Sequence, residues 1–147
     1  METNEPRKEL ERAITCVLKP LGYRKQSATW HRDRERVVSV VNLQKSQWGD
    51  DWYLNLGVYL KALGGESRPA ENQCHIRCRA TTPSGSEMPR ELVELSAFVA
   101  EIALPWLDAL STERGVADFL GSARSNVCFV HRRVRELVGV PADSPSR

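Results

Sequence analysis

Three groups of residues in this chain have types and spacings that could do chemistry. Cys74, His75 and Cys78 crowd one short segment, in the manner of half a zinc site. Ser46 and His75 supply a hydroxyl and an imidazole, the beginnings of an activated nucleophile. The third group is larger. Asn42, Gln44, Ser46, Tyr53, Asn55 and Tyr59 alternate with apolar residues through Val37–Leu60, and His75, Arg77 and Arg79 do the same further on. Such alternation lines amides, hydroxyls and guanidinia along one strand face, where they could recognise a carboxylate, a phosphate or a peptide backbone.

The first two groups lack partners. In a strand, Cys74 and Cys78 share a face about 13 Å apart, too far for one ion with Zn–S bonds of ~2.3 Å. No CxxC or HxxxH lies elsewhere, so no metal and no other cofactor is expected. The Ser46/His75 pair has no GxSxG elbow and no carboxylate that can be placed beside the imidazole, so no catalytic residue is assigned. A small hydrolase or transferase is a third-ranked reading that needs Glu66, Glu71 or Asp50 delivered to the sheet face. The polar face therefore carries the candidate ligand- or partner-binding set: Asn42, Gln44, Ser46, Trp48, Tyr53, Asn55, His75, Arg77 and Arg79. Trp48 joins it as an indole in the connecting turn, a residue type that anchors interfaces. The competing reading of the same face is an internal hydrogen-bond ladder that fixes register. His31, Asp33 and His131 read as surface residues. Arg124, Arg132, Arg133 and Arg135, with Glu113, Asp118 and Glu136 nearby, read as a solvated mixed-charge face.

The elements that must position this face follow from periodicity. Asn4 can cap a first helix, with Pro6 in its first turn and Glu5 and Glu9 at its positive end. Leu10, Ala13, Ile14, Val17, Leu18 and Leu21 form its apolar stripe, and Pro20 and Gly22 stop it. Tyr23 to His31 reads as one strand and Arg32–Arg36 as a charged turn. Leu43, Val41, Leu54, Leu56, Val58 and Leu60 form the apolar face of a hairpin. The expected register sets Leu43 opposite Leu56, Val41 opposite Val58, Gln44 opposite Asn55 and Ser46 opposite Tyr53. A slip by one residue would bury Asn42 and Gln44. After a Gly64–Ala70 loop comes a fourth strand, Cys74–Ala80, with Cys74, Ile76 and Cys78 inward. Leu92, Leu95, Phe98, Val99, Ile102, Trp106, Leu107 and Leu110 recur at helical spacing. Pro105 should kink that helix and push Leu104 out of helical geometry. Thr112 caps a short helix bearing Val116, Phe119 and Leu120, and Val127–Val138 reads as a last helix. Trp30 and Trp106 belong to the core.

These elements give an α+β fold. A two-layer, four-stranded antiparallel meander sheet is expected, with the N-terminal helix and the C-terminal helices packed on one face. Residues 1–138 form a single domain and 139–147 a flexible tail. A chain of 147 residues suits one core, and 41% hydrophobic against 27% charged residues excludes global disorder. A net charge of +2 excludes a strong overall field for nucleic acid. There is no apolar run of membrane length and the N-terminus is too charged for a signal peptide, so the expected location is cytoplasmic, with no membrane partner. In that compartment the four cysteines are reduced thiols.

Across roughly Leu10 to Leu120 the chain resembles a bacterial family, domain-of-unknown-function family 4304. The resemblance rests on a helix ending in a KPLGF-like turn (Lys19–Tyr23), an NLQKS strand (Asn42–Ser46), an NLGV strand (Asn55–Val58) and a HIR strand (His75–Arg77). Tyr23 replaces the usual phenylalanine, and Cys78 stands where a small residue is common. The resemblance implies a fold and transfers no catalytic residue; it also raises an immunity-type inhibitor as one possible role. The expected function is a non-enzymatic binding module with a protein partner. The alternative is a nucleic-acid or phosphate-ligand binder using Arg77, Arg79, His75 and the sheet tyrosines.

Overall fold

The structure, a computed structural model, describes residues 5–140. Asn4, the expected first cap, and residues 141–147 of the expected tail lie outside the described residues. Helix α1 (Glu5–Leu18) buries Leu10, Ile14 and Leu18, one residue per turn, with Ala13 and Val17 beside them. The chain then tightens into a 3-10 turn, Lys19–Leu21. That change of pitch turns Leu21 off the stripe and leaves it 41% exposed, against expectation. Gly22 ends the turn in the left-handed region at φ +96°, its N–H donating to Lys19 O at 3.0 Å.

The sheet has six strands, not four: β1 (Arg24–Gln26), β2 (Thr29–Asp33), β3 (Val37–Lys45), β4 (Trp52–Leu60), β5 (Ile76–Arg79) and β6 (Phe129–Val130). They lie in sequence order, every neighbouring pair antiparallel. The segment expected as one strand is a tight hairpin, because Ser27 adopts φ +58° and folds β1 back on β2. The segment expected as the start of the last helix supplies β6, and helix α5 (Arg132–Val138) begins only after His131. A two-residue strand has no periodicity to read, and its pairing with β5 is a tertiary effect.

The β3–β4 register also differs from expectation. Leu43 pairs with Leu54, Val41 with Leu56, Asn42 with Asn55 and Gln44 with Tyr53. The faces are as expected and the partners are displaced by two residues. Alternation has period two, so burial fixes the face and cannot distinguish registers two apart. The connection from Ser46 to Asp51 is closed by Ser46 N donating to Asp51 O at 2.8 Å.

One core lies between the apolar sheet face and the helices, with Val41, Leu43, Leu54, Leu56, Val58 and Ile76 facing helical side chains. Trp30 is fully buried and its indole N–H donates to Thr15 Oγ1 of α1 at 3.0 Å. Helix α2 (Leu92–Phe98), a π-helical turn (Val99–Ala103) and α3 (Leu104–Ala109) run on without a break. Leu104 keeps helical angles (φ −64°, ψ −44°) although Pro105 follows it. The wider π turn just before the proline gives the ring the room an α turn denies it. Helix α4 (Glu113–Leu120) is capped by Thr112, whose Oγ1 accepts from Gly115 N at 3.0 Å. Within the expected charged turn, Arg34 is structural. It donates to buried Ser39 Oγ at 3.1 Å and to Asp108 Oδ1 of α3 at 2.8 Å, tying sheet to helix.

Candidate functional site

The helices cover one sheet face, and the other is divided. At one end Val38, Val40, Tyr59 and Cys74 form a second, smaller apolar cluster beneath the segment that joins β4 to β5. That segment is held down by His31 Nε2 bonded to Pro69 O (2.7 Å) and by Glu66 N donating to the Tyr59 hydroxyl (3.1 Å). Cys74 belongs to this cluster and not to the main core, which corrects the expected inward set. Its sulfur packs on Gly57, where any Cβ would stand 2.6 Å from it. Strand β5 begins only at Ile76, so Cys74 lies outside the ladder whose alternation had placed it. Burial, reinforced by the Glu71 carboxylate, pushes the Cys74 thiol well above its usual range.

The other end is open. Asn55, 8% exposed, donates through Nδ2 to Asn42 Oδ1 (3.1 Å) and Gln44 Oε1 (2.8 Å). Asn42 Nδ2 donates onward to Thr29 Oγ1 at 3.0 Å. Arg79 Nε donates to Asn55 Oδ1 at 3.4 Å, and its guanidinium lies 3.8 Å from the centre of the Tyr53 ring. The inner members of this row are therefore a cross-strand ladder, and its outer members, Gln44 and Arg79, are exposed. Arg79 takes part in none of the ion pairs among the described residues, so its outer N–H groups face solvent. Arg77, in contrast, is held by Glu71 through two hydrogen bonds of 3.1 and 3.3 Å.

The structure thus brings together Asn42, Gln44, Tyr53, Asn55 and Arg79, with Arg77 at the edge of the β4–β5 segment, the lid over the other end of this face. Ser46 and Trp48 stand at the same end of the sheet, in the β3–β4 connection. Ser46 Oγ accepts from Trp48 N at 3.1 Å, and the Trp48 side chain is 89% exposed. Trp52, the other tryptophan flanking this connection, is buried in the core under the cations of Arg7 and Lys45. His75 is at the far end. Just before β5, it is level with Tyr59 and Val38, eight residues along β3 from Ser46, about 26 Å at 3.3 Å per residue. No shared reaction joins those two side chains. His75 Nδ1 accepts from Leu60 N at 2.9 Å, and its ring lies 4.5 Å from Tyr59 and 6.0 Å from His131. Burial first, then the charges of His131 and Arg133, hold its pKa below the usual histidine value. Glu71 does reach this sheet face, but it pairs with Arg77 and not with His75.

One arrangement escaped sequence reasoning. On the helix side a cavity of about 790 Å³ opens between β5 and the helices, lined by Leu56, Ile102, Trp106, Phe119, Cys78 and Cys128 among others. In the sequence, the cysteine nearest Cys78 is Cys74. The signal that pairs it with Cys128 is the β5–β6 register, invisible without β6. Among the described residues no cluster of three or more His, Cys, Asp or Glu could hold a metal ion, and no helix is long and apolar enough to cross a membrane.

A family model described as Domain of unknown function (DUF4304) matches residues 14–109, from the middle of α1 to the end of α3. Neither the curated proteins nor the solved structures contain a match.

Proposed function

The chain belongs to the DUF4304 family, and from that premise we propose that it is a non-enzymatic cytoplasmic binding module, in the manner of an immunity-type inhibitor, that meets a protein partner through the open end of its polar sheet face. The carrying observation is the exposed Trp48 beside a pre-set polar rim. Gln44 is held by Asn55, and Arg79 is held by Asn55 and the Tyr53 ring. A rim whose rotamers are already fixed loses little entropy on binding. Exposed tryptophan and arginine are the residue types that carry interface energy. The outer N–H groups of Arg79 suit a carboxylate on the partner, the acidic side chain of an opposing loop.

The nucleic-acid alternative needs tyrosine faces on which bases can stack. Tyr53 is already covered by Arg79, and Tyr59 is buried against His75. The observations favour the protein partner.

The test is capture from the native cell's lysate with wild-type, Trp48→Ala, Arg79→Ala and, on the helical side, Arg114→Ala proteins. One specific protein should be recovered by the wild type and by Arg114→Ala. Each of the other two variants should weaken its affinity about 30-fold, the ~2 kcal/mol of an interface anchor. Recovery of no specific protein, or equal recovery by all four, refutes the reading.

A further inference from the structure

We propose that Cys78 and Cys128 are a peroxide-oxidisable dithiol that closes into a cross-strand disulfide, a modification site on the face opposite the polar rim. Strand β6 pairs with β5 as Ile76 with Val130 and Arg77 with Phe129. One further step sets Cys78 opposite Cys128. His131 N donates to His75 O at 2.7 Å, so 75 and 131 form a hydrogen-bonded pair of this ladder. Pair types alternate, which makes 78 and 128 a non-hydrogen-bonded pair, with Cα atoms about 4.5 Å apart. That separation lies inside the roughly 4.4–6.8 Å that a disulfide spans. Consistent with this, Cys128 N donates to Ser125 O at 3.2 Å, away from β5.

Both thiols are free, half-buried and in the wall of the same cavity, with Arg124 also in its lining. A small neutral oxidant can reach them. Each thiol donates to a carbonyl of its own segment, Cys78 to Arg79 O and Cys128 to Arg124 O, both at 3.9 Å. The neighbouring Cys128 thiol, together with the Arg124 charge, lowers the Cys78 pKa against the effect of burial. The Cys78 thiol beside it, with burial added, raises that of Cys128. The roles divide accordingly. The Cys78 thiolate attacks one oxygen of hydrogen peroxide, the O–O bond breaks, and the departing hydroxide takes a proton to leave as water. The Cys128 thiol then attacks the sulfenic sulfur of Cys78. The S–S bond forms, the S–O bond breaks, and the hydroxide leaves with the Cys128 proton as a second water. Two thiols and one peroxide give one disulfide and two waters. The remaining cysteines are placed differently. Cys74 is buried on the other sheet face, and Cys16 is exposed on α1.

The bridge closes a loop containing α2, α3 and α4, roughly 50 residues, so oxidation should raise Tm by on the order of 5–10 °C. The experiment treats the reduced full chain with one equivalent of hydrogen peroxide, followed by thiol counting, non-reducing peptide mapping and thermal unfolding. The expected result is a monomer lighter by two hydrogens with two of its four thiols lost. A linked 78–128 peptide and a Tm rise reversed by dithiothreitol complete it. A Cys16→Ser/Cys74→Ala variant should lose both of its remaining thiols to the same linked peptide and show the same rise in Tm on oxidation. Cys128→Ser should instead leave a sulfenic acid at Cys78 that dimedone traps. A bridge through Cys16 or Cys74, a chain dimer, four surviving thiols, or over-oxidation of Cys78 without a bridge would each overturn the assignment.

Discussion

Gly57 is the position at which the smallest addition should have the most legible effect. It lies in regular extended backbone of β4, outside the left-handed region, so its lack of a side chain serves close approach and not conformation. An alanine methyl at 57 would stand 2.6 Å from Cys74 Sγ, 3.0 Å from Cys74 Cβ and 3.6 Å from Val40 Cβ. Favourable contacts lie at about 3.5–4.0 Å, so the sulfur is about 1 Å too close. Cys74 is 3% exposed and cannot swing into solvent; the strand or the lid must move. Overpacking of that size costs about 1–3 kcal/mol. Cys74→Ala alone removes one buried sulfur, at about 1 kcal/mol. In the double variant the sulfur clash is gone and only the 3.0 Å Cβ contact remains, which a few tenths of an ångström relieve. The two costs should therefore fall short of additivity by about 1–2 kcal/mol. Urea unfolding with an unchanged m-value measures all three variants. If Gly57→Ala lies within about 0.5 kcal/mol of wild type, or the costs simply add, the packing of Cys74 on Gly57 is not what holds the lid.

The amide ladder should also fall short of additivity, here because one shared hydrogen bond is lost in either single variant. Asn55→Ala removes two donated bonds and one accepted, about 2–3 kcal/mol in all, and the Asn42→Ala/Asn55→Ala cycle should give a coupling of about 0.5–1.5 kcal/mol; a coupling of zero removes the ladder as a structural element. The folded-state pKa of His75 is depressed, so the unfolded chain takes up the proton first. Stability should be full above about pH 6.5 and decline as pH falls through the lower folded value, and His75→Phe should flatten that slope in urea midpoints taken from about pH 7.5 to 5. Trp48 is the exposed indole against buried Trp30, Trp52 and Trp106, so iodide should quench a single emission component that Trp48→Phe abolishes, with stability unchanged to within about 0.5 kcal/mol.

What could be read from the chain follows the range of the interaction that decides it. The stripe of α1 as far as Leu18, the Thr112 cap and the two faces of β3 and β4 depend on burial period or local hydrogen bonds, and the structure has them where they were expected. The pairing of Asn42 with Asn55 needed the register, to which a period of two is blind. The β1–β2 hairpin turned on one serine in a left-handed conformation, which no composition signal marked. Helical geometry at Leu104 depended on a π turn one step earlier in the chain. The polar face was legible as a face, but its partition into lid, ladder and open rim was not, because the lid is a loop folded back over the sheet. The Cys78–Cys128 juxtaposition depends on β6, whose existence is a tertiary fact.

The order in which the core is assembled has a consequence for synthesis. Neighbouring strands from β1 to β5 pair through local connections and can zip together as they leave the ribosome. Of the helices that cover their apolar face, α1 precedes the sheet and the others begin only at Leu92; α1 packs against α2 across that distance. Until α2 and α3 emerge, the nascent chain carries a sheet whose valines and leucines are shielded by α1 alone. Such a surface attracts chaperones, and a chain released there by premature termination is aggregation-prone.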